Sequence, residues 1–546
     1  MNANSSKTLG LTSQEAELVN RLFAMAVRLL SVLSLLVLNA LVHCDFSRAE
    51  SQESLQAPPA SHDQLKQLMA RGDEFDRRHD FHEALNCYNE VIRQDSTYSI
   101  AYFRRGVTLQ LQGELDKALV DCESFLKLAP ESAHGYWLRG AIYGDQGRLE
   151  ESYEAYDKAI RLDPNLPQAY YGRALVHQSR GNLQKAMRDF DEAIRLAPHH
   201  TYIYEFRAKL LSKLGEFEKA VADYDVVLQK EPDNSEAHYY RGQNLYQLEK
   251  YEQALADLDA SLKLYPGSAE AHVLRGGIRL KLEQLDEALQ DFGEAIRYDP
   301  ELWSAYWGRS EIHQARGENL LAIQELDNVI RLKPDHKLAY VRNAVLCRDQ
   351  GEFDKAIQSY TRFLKLDADD YWRASIFAGR GVCWSDKKEY RKAIADYSEA
   401  LRLDPDNDLY YCARASSWAM LLEFEKALED CDTGLRINPQ STHLYTARGK
   451  IRGHVLTYDK GIADLNQATR IDPSNAEAYY HRGLLYCAKY EDAKAIPDFN
   501  RAIELDPENA VIYAARGSAY YSLGEFEKAR ADEAKADELG IVYEEM

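Results

Sequence analysis

Proline and glycine are sparse, 15 and 29 residues in a chain of 546. With 45% apolar and 28% charged residues, that scarcity excludes a collagen-like or wholly disordered chain. Basic charge is also short: 67 Lys and Arg against 88 Asp and Glu leave a net charge of −21. This balance disfavours a general grip on nucleic-acid phosphate or an anionic membrane, so no nucleic-acid partner is expected. Cysteines number eight. Those beyond Cys44 (Cys87, Cys122, Cys347, Cys383, Cys412, Cys431 and Cys487) are odd in number and cannot all pair, which predicts small buried thiols.

Recognisable site chemistry is missing as well. No Gly-rich phosphate loop appears, and His199-His200 has no spaced ligand partners. The run Asp404-Pro-Asp406-Asn-Asp408 starts like a calcium loop but has Leu409 where Gly belongs and Ala415 where Glu belongs. No metal, no cofactor and no catalytic residue are expected.

Long apolar runs are absent with one exception, Leu29 to Val42. Its fourteen residues reach about 21 Å at ~1.5 Å each, short of a hydrocarbon core of ~30 Å but long enough for a secretory signal. Ser47 and Ala49 supply small residues for cleavage before Glu50, and Met25 to Arg28 makes a short basic start, so Met25 is the expected initiator. The alternative is an uncleaved anchor over Ala24 to Val42. The chain is expected to be exported, periplasmic or secreted, or else tethered with its bulk outside the cytoplasm. Either way it meets a membrane only through residues 1–49.

What the chain has in abundance is periodicity. After a polar linker, 50–64, prolines fall 34 residues apart at Pro130, Pro164, Pro198, Pro232, Pro266, Pro300 and Pro334, and again at Pro405, Pro439, Pro473 and Pro507. Ala368 fills the missing place, and three extra residues, Tyr371-Trp372-Arg373, follow it. Fourteen repeats result, nine over 65–370 and five over 374–543, with a short tail at 544–546. Each carries two apolar stretches of helical period, separated by a Gly such as Gly113 or Gly147 and closed by Asp-Pro or its equivalent. Small residues at fixed places, such as Gly483 and Ala495, mark where two helices approach closely. Ser61 with Gln64 forms a capping box for the first helix, and Glu533 makes the last one polar where Phe190, Tyr397 and Phe499 stand elsewhere.

This pattern resembles the tetratricopeptide repeat (TPR) family, whose 34-residue unit places aromatic, Gly, Ala, aromatic, Ala and Pro as this chain does. The resemblance implies an all-α TPR solenoid, a right-handed superhelix of antiparallel helix pairs in which stacked neighbours supply the core. One departure is systematic. The seventh place, usually apolar, is Arg in thirteen repeats, and the twenty-third is acidic in eleven. A ladder is expected of Arg105 with Asp121, Arg173 with Asp189, Arg207 with Asp223, Arg241 with Asp257, Arg275 with Asp291 and Arg309 with Glu325. It continues through Arg380 with Asp396, Arg414 with Asp430, Arg448 with Asp464, Arg482 with Asp498 and Arg516 with Asp532. Its expected role is helix register rather than net stability. Arg71 and Arg139 lack a local acid, and the ninth repeat has Asn343 and Ser359 instead; with the insertion at 371–373, this predicts a kink or hinge there.

The resemblance also implies a concave groove lined by first helices that holds a peptide or helix of another protein. Carried to the fifth place, it gives Phe103, Trp137, Tyr171, Tyr239, Trp307 and Tyr480 as candidate anchors, the competing reading being that these rings pack between neighbouring helices. The Lys and Asn of carboxylate-clamping members are replaced here, for instance by Met69 and Asp73, so that mode is not expected. A non-catalytic scaffold for other proteins is the leading expectation; a glycan or small-molecule receptor using the same rings is the alternative.

Overall fold

The computed structural model describes residues 59–540, so the segment expected to direct export lies outside it. Among the described residues the chain is helical throughout, with 28 helices in fourteen consecutive pairs. The first begins at Pro59 and runs to Arg77. Part of the expected linker is therefore helical, and Ser61 lies inside the helix rather than capping it; proline suits a first helical position, where its missing N–H has no partner to lose.

The two helices of a pair bury different amounts because they occupy different layers. In the fourth repeat the second helix, Leu183–Leu196, buries one stripe, Ala186, Asp189, Phe190 and Ala193. Its first helix, Pro167–Ser179, is wedged between neighbours and buries residues on several sides, including Ala169, Tyr171, Ala174 and Val176. Close approach depends on the small residues. A Cβ on Gly483 would lie 2.6 Å from Phe499, so only glycine lets that ring seat against the helix.

The turn inside each pair is the same in all fourteen repeats. One residue, fifteenth in the repeat, has positive φ: Gly in seven and His79, Glu249, Glu283, Lys388, Leu422, Leu456 or Tyr490 in the others. In the second repeat the amide of Glu114 donates to the Leu109 carbonyl at 2.9 Å and that of Gly113 to Gln110 at 2.9 Å, satisfying carbonyls the helix end would leave open. The turn between repeats is closed instead by an acid: Asp163 accepts from the Asn165 amide at 2.9 Å, after which proline-containing backbone cannot continue the helix.

The chain forms two compact halves, one ending at Ile278 and one beginning at Arg279. In the first, an apolar core runs from Phe103 to Leu210, with smaller clusters around Tyr88 and Tyr224. In the second, cores centre on Tyr360, Cys431, Leu465 and Phe499. Within each half consecutive helices pack in sequence order.

The insertion is helical. Residues 371–373 form no loop; they extend the first helix of the tenth repeat to Asp370–Asp386, while the preceding helix is short, Phe353–Phe363. One continuous core includes Phe363 before the insertion and Ile376 and Cys383 after it. The three residues add a helical turn because Asp369 caps the new start, accepting from the Trp372 amide at 2.9 Å. At the far end Glu533 is exposed, whereas Phe190, Tyr397 and Phe499 are buried. The seven described cysteines are unpaired, and most are buried. Burial pushes the Cys122 thiol up to about 12 and Cys383 up to about 11, which keeps them protonated.

Candidate functional site

Ten of the eleven expected Arg–acid pairs lie within one half, and each closes with a guanidinium Nη2 at 2.5 to 2.8 Å from a carboxylate oxygen. In nine of them Nε donates to the second oxygen, as from Arg173 to Asp189 at 2.9 Å. Arg309 is the exception: it meets the longer Glu325 through Nη2 alone, and its Nε has no hydrogen-bond partner among the described residues. Arg275 and Asp291 belong one to each half; Arg275 donates to Asp259 at 2.7 Å, and Asp291 accepts from Arg279 at 2.8 Å.

Sequence reasoning missed half of each rung. The remaining nitrogen, Nη1, reaches back to the preceding repeat and donates to an oxygen at its twenty-fifth place. Arg173 reaches Asp157 at 2.9 Å, Arg207 reaches Asp191 at 2.7 Å, Arg414 reaches Ser398 at 3.0 Å and Arg516 reaches Asn500 at 2.7 Å. Each of these four rungs thus ties a first helix to its own second helix and to the one before; behind Arg309 the corresponding place is Gly293, which has no side chain to accept. The ninth repeat keeps both links without an arginine: Ser359 donates to Asn343 Oδ1 at 2.8 Å, and Asn343 Nδ2 donates to Asp327 at 2.9 Å. The recurring Asp, Asn, Ser or Thr at that place was the available signal. Desolvation sets the cost of these pairs, since burial holds the Asp223 carboxyl above the usual range despite Arg207. With its donors engaged, a rung arginine such as Arg173 offers no ready anion site.

The six candidate anchors fall into two groups. Phe103, Trp137 and Tyr171 are core residues, with exposures of 0%, 3% and 4%. Phe103 packs 6.4 Å from Trp137, and Tyr171 packs 5.1 Å from Tyr202 and 5.4 Å from Phe206. These three fill the gap between adjacent first helices and are not offered to a ligand, which corrects their assignment as anchors. Tyr239, Trp307 and Tyr480 are half-buried and keep an accessible side. Burial, with Tyr240 and Glu270 nearby, pushes the Tyr239 hydroxyl up to about 12.

The half-buried rings sit among charges on the same first-helix face. Arg342 lies 4.5 Å over the Trp307 ring and pairs with Glu311 at 2.9 Å, and His336 flanks the ring at 4.8 Å. Near Tyr239, Lys209 lies 4.7 Å over Tyr240 and pairs with Glu236 at 2.7 Å. Beside it Glu205 accepts from Asn234 at 2.8 Å, and burial pushes its carboxyl up to about 7 even with Lys209 close by. This face can take up apolar groups on its rings and hydrogen-bonding or charged groups between them. An open cleft of about 770 Å³ lies elsewhere, beside the rung of Arg448, lined by Glu425, Glu429, Asp432 and Tyr445.

Comparison with known proteins agrees with this architecture. A model described as tetratricopeptide repeat matches residues 69–133 and overlapping segments from 207 to 371. A second model of that description matches 167–200 and 374–407, and one described as TPR repeat matches 140–179, 457–489 and 485–524. No curated protein sequence matches the chain. Among solved structures, a tetratricopeptide repeat protein from Parabacteroides merdae is 24% identical over 46% of this chain and 98% of its own, with a TM-score of 0.37. YrrB, described as a TPR protein with an unusual peptide-binding site, is 25% identical over 34% of this chain and 96% of its own, with a TM-score of 0.31. The Cut9–Hcn1 assembly of the APC/C aligns over 83% of this chain and 96% of its own at 13% identity and a TM-score of 0.36. From its helix pairs and the family matches along its length, the chain belongs to the tetratricopeptide repeat family.

Proposed function

We propose that the chain is a non-catalytic scaffold that binds a peptide segment or helix of another protein along its first-helix face. The observation that carries this reading is Trp307, a half-buried indole set between Arg342 and His336 where an incoming apolar side chain can displace water. Tyr239 and Tyr480 hold the same repeat position on other first helices. Export, through the segment Leu29 to Val42, is part of the proposal, supported by the length of that run.

Trp307→Ala tests the groove. A partner held by the wild-type chain should bind at least tenfold more weakly to this variant, measured by calorimetry, while Trp137→Ala should act only through lost stability. Undiminished affinity in Trp307→Ala would remove the groove from the proposal.

A further inference from the structure

The added turn of the tenth repeat has no role in the packing pattern of the other thirteen. Tyr371 is 74% exposed and Trp372 39% exposed, although both sit on a well-formed helix. Trp372 rests one face against Phe363, with ring centres 6.3 Å apart, and turns the rest outward. Tyr371 lies one turn before Ser375, whose hydroxyl donates to the Tyr371 carbonyl at 3.3 Å, and close to Tyr410 of the next first helix. Leu409, beside Tyr410, is 55% exposed. Tyr371, Leu409 and one side of Trp372 are thus exposed on two successive first helices.

The charge around them is mainly acidic, with Lys365 an exposed cation beside it. Asp367, Asp370 and Asp406 are exposed and form no ion pair among the described residues. Two further cations are engaged elsewhere: Arg373 donates to the Leu364 carbonyl at 3.1 Å, and Arg402 pairs with Glu399 at 2.9 Å. Exposed aromatic faces ringed by unpaired carboxylates complement a cationic side chain, which gains from the ring face and from the acid beside it.

We infer that the extra turn at 370–373 is a docking surface for a Lys- or Arg-rich segment of a partner protein, held by Tyr371 and Trp372 with Asp367, Asp370 and Asp406 around them. This rests on the scaffold reading and names the chemistry of one contact within it. Residues with alternating cationic and apolar side chains fit best, the cation over Tyr371 and the apolar group against Leu409.

The test uses the full chain and a fluorescein-labelled short Lys–Leu peptide, with its Glu–Leu counterpart as control, followed by anisotropy. The Lys–Leu peptide should bind, more weakly as salt rises, and the Glu–Leu peptide should not. Tyr371→Ala should weaken binding about tenfold, and Tyr371→Phe should retain it, since both variants change an exposed side chain. Asp370→Asn should weaken it several-fold, and Glu527→Gln, at a remote exposed carboxylate, should leave it unchanged. Equal losses in Glu527→Gln and Asp370→Asn, or full affinity in Tyr371→Ala, would overturn the inference. A natural partner that depends on Trp307 but not on Tyr371 would also overturn it and leave the scaffold reading intact.

Discussion

Arg173 illustrates what one side chain does in this protein. Its guanidinium holds Asp189 in its own repeat and Asp157 in the repeat before, so it fixes two helix contacts at once. Arg173→Ala should leave Asp189 buried and uncompensated, with a loss of about 2–4 kcal/mol read from urea unfolding. Replacing both partners by apolar residues, Arg173→Met with Asp189→Leu, should lose less, because no buried Asp189 charge is then stranded and Asp157 keeps Arg161 at 3.0 Å. A double variant as unstable as the single one would show that the attraction itself, and not register, dominates. The pairing of seventh and twenty-third places was legible because both residue types recur at one spacing. The backward link was not, since its acceptor varies among Asp, Asn, Ser and Thr and only the backbone path brings it near. The left-handed turn residues support a second expectation. Leu456 and Tyr490 occupy positive φ without a glycine's freedom and are exposed. Leu456→Gly or Tyr490→Gly should raise stability by about 0.5–1 kcal/mol in thermal melts, whereas Gly113→Ala should lower it by about 1 kcal/mol.

Helices are placed by what they must pack against, and there the linear pattern had less reach. The fifth-place rings share one position, yet Phe103, Trp137 and Tyr171 are core while Tyr239, Trp307 and Tyr480 keep an open side. The difference lies in the neighbouring first helix, whose bulk at the contact a single repeat does not reveal. The same holds for the insertion, where Asp369 as a cap lets the extra residues continue as helix. Between the first helices of repeats five and six, Thr201–Lys213 and Ser235–Gln247, Glu205 gives a pH signature. Its folded-state carboxyl titrates near 7, above its unfolded value of 4.5, so the native state holds the proton more firmly. The stabilisation is present in full below the unfolded value and is lost as pH rises towards about 7, on the order of 1–3 kcal/mol. Hydrogen exchange in these helices should quicken over that interval, and Glu205→Gln should flatten the dependence. In the thirteenth repeat, Gly483→Ala should cost about 1–3 kcal/mol by pushing Phe499 from its seat, and a far-UV melt reads the loss.

Across the chain, stability should accrue repeat by repeat, with no single core to fail all at once. Denaturant unfolding followed by exchange should therefore show protection strongest in interior repeats and weakest toward the ends. Removing the fourteenth repeat, from Ala510 onward, takes Ile512 and Ala519 away from Phe499 and Ala502. The shortened chain should self-associate, visible by light scattering, because its polar last helix no longer covers the apolar face. The clasp through the seventh-place arginine has a further consequence. Its forward and backward partners both lie 16 residues away in chain order, in repeat after repeat. Splicing out or duplicating a 34-residue block between equivalent points of repeats that keep these residues rejoins a matching donor and acceptor. Even with three residues added, Arg380 still finds Thr361 at 2.9 Å across a stride of 19. A gene encoding such a fastener can grow or shrink by whole copies and still yield a chain that locks, which makes reach an easily adjusted trait of this protein.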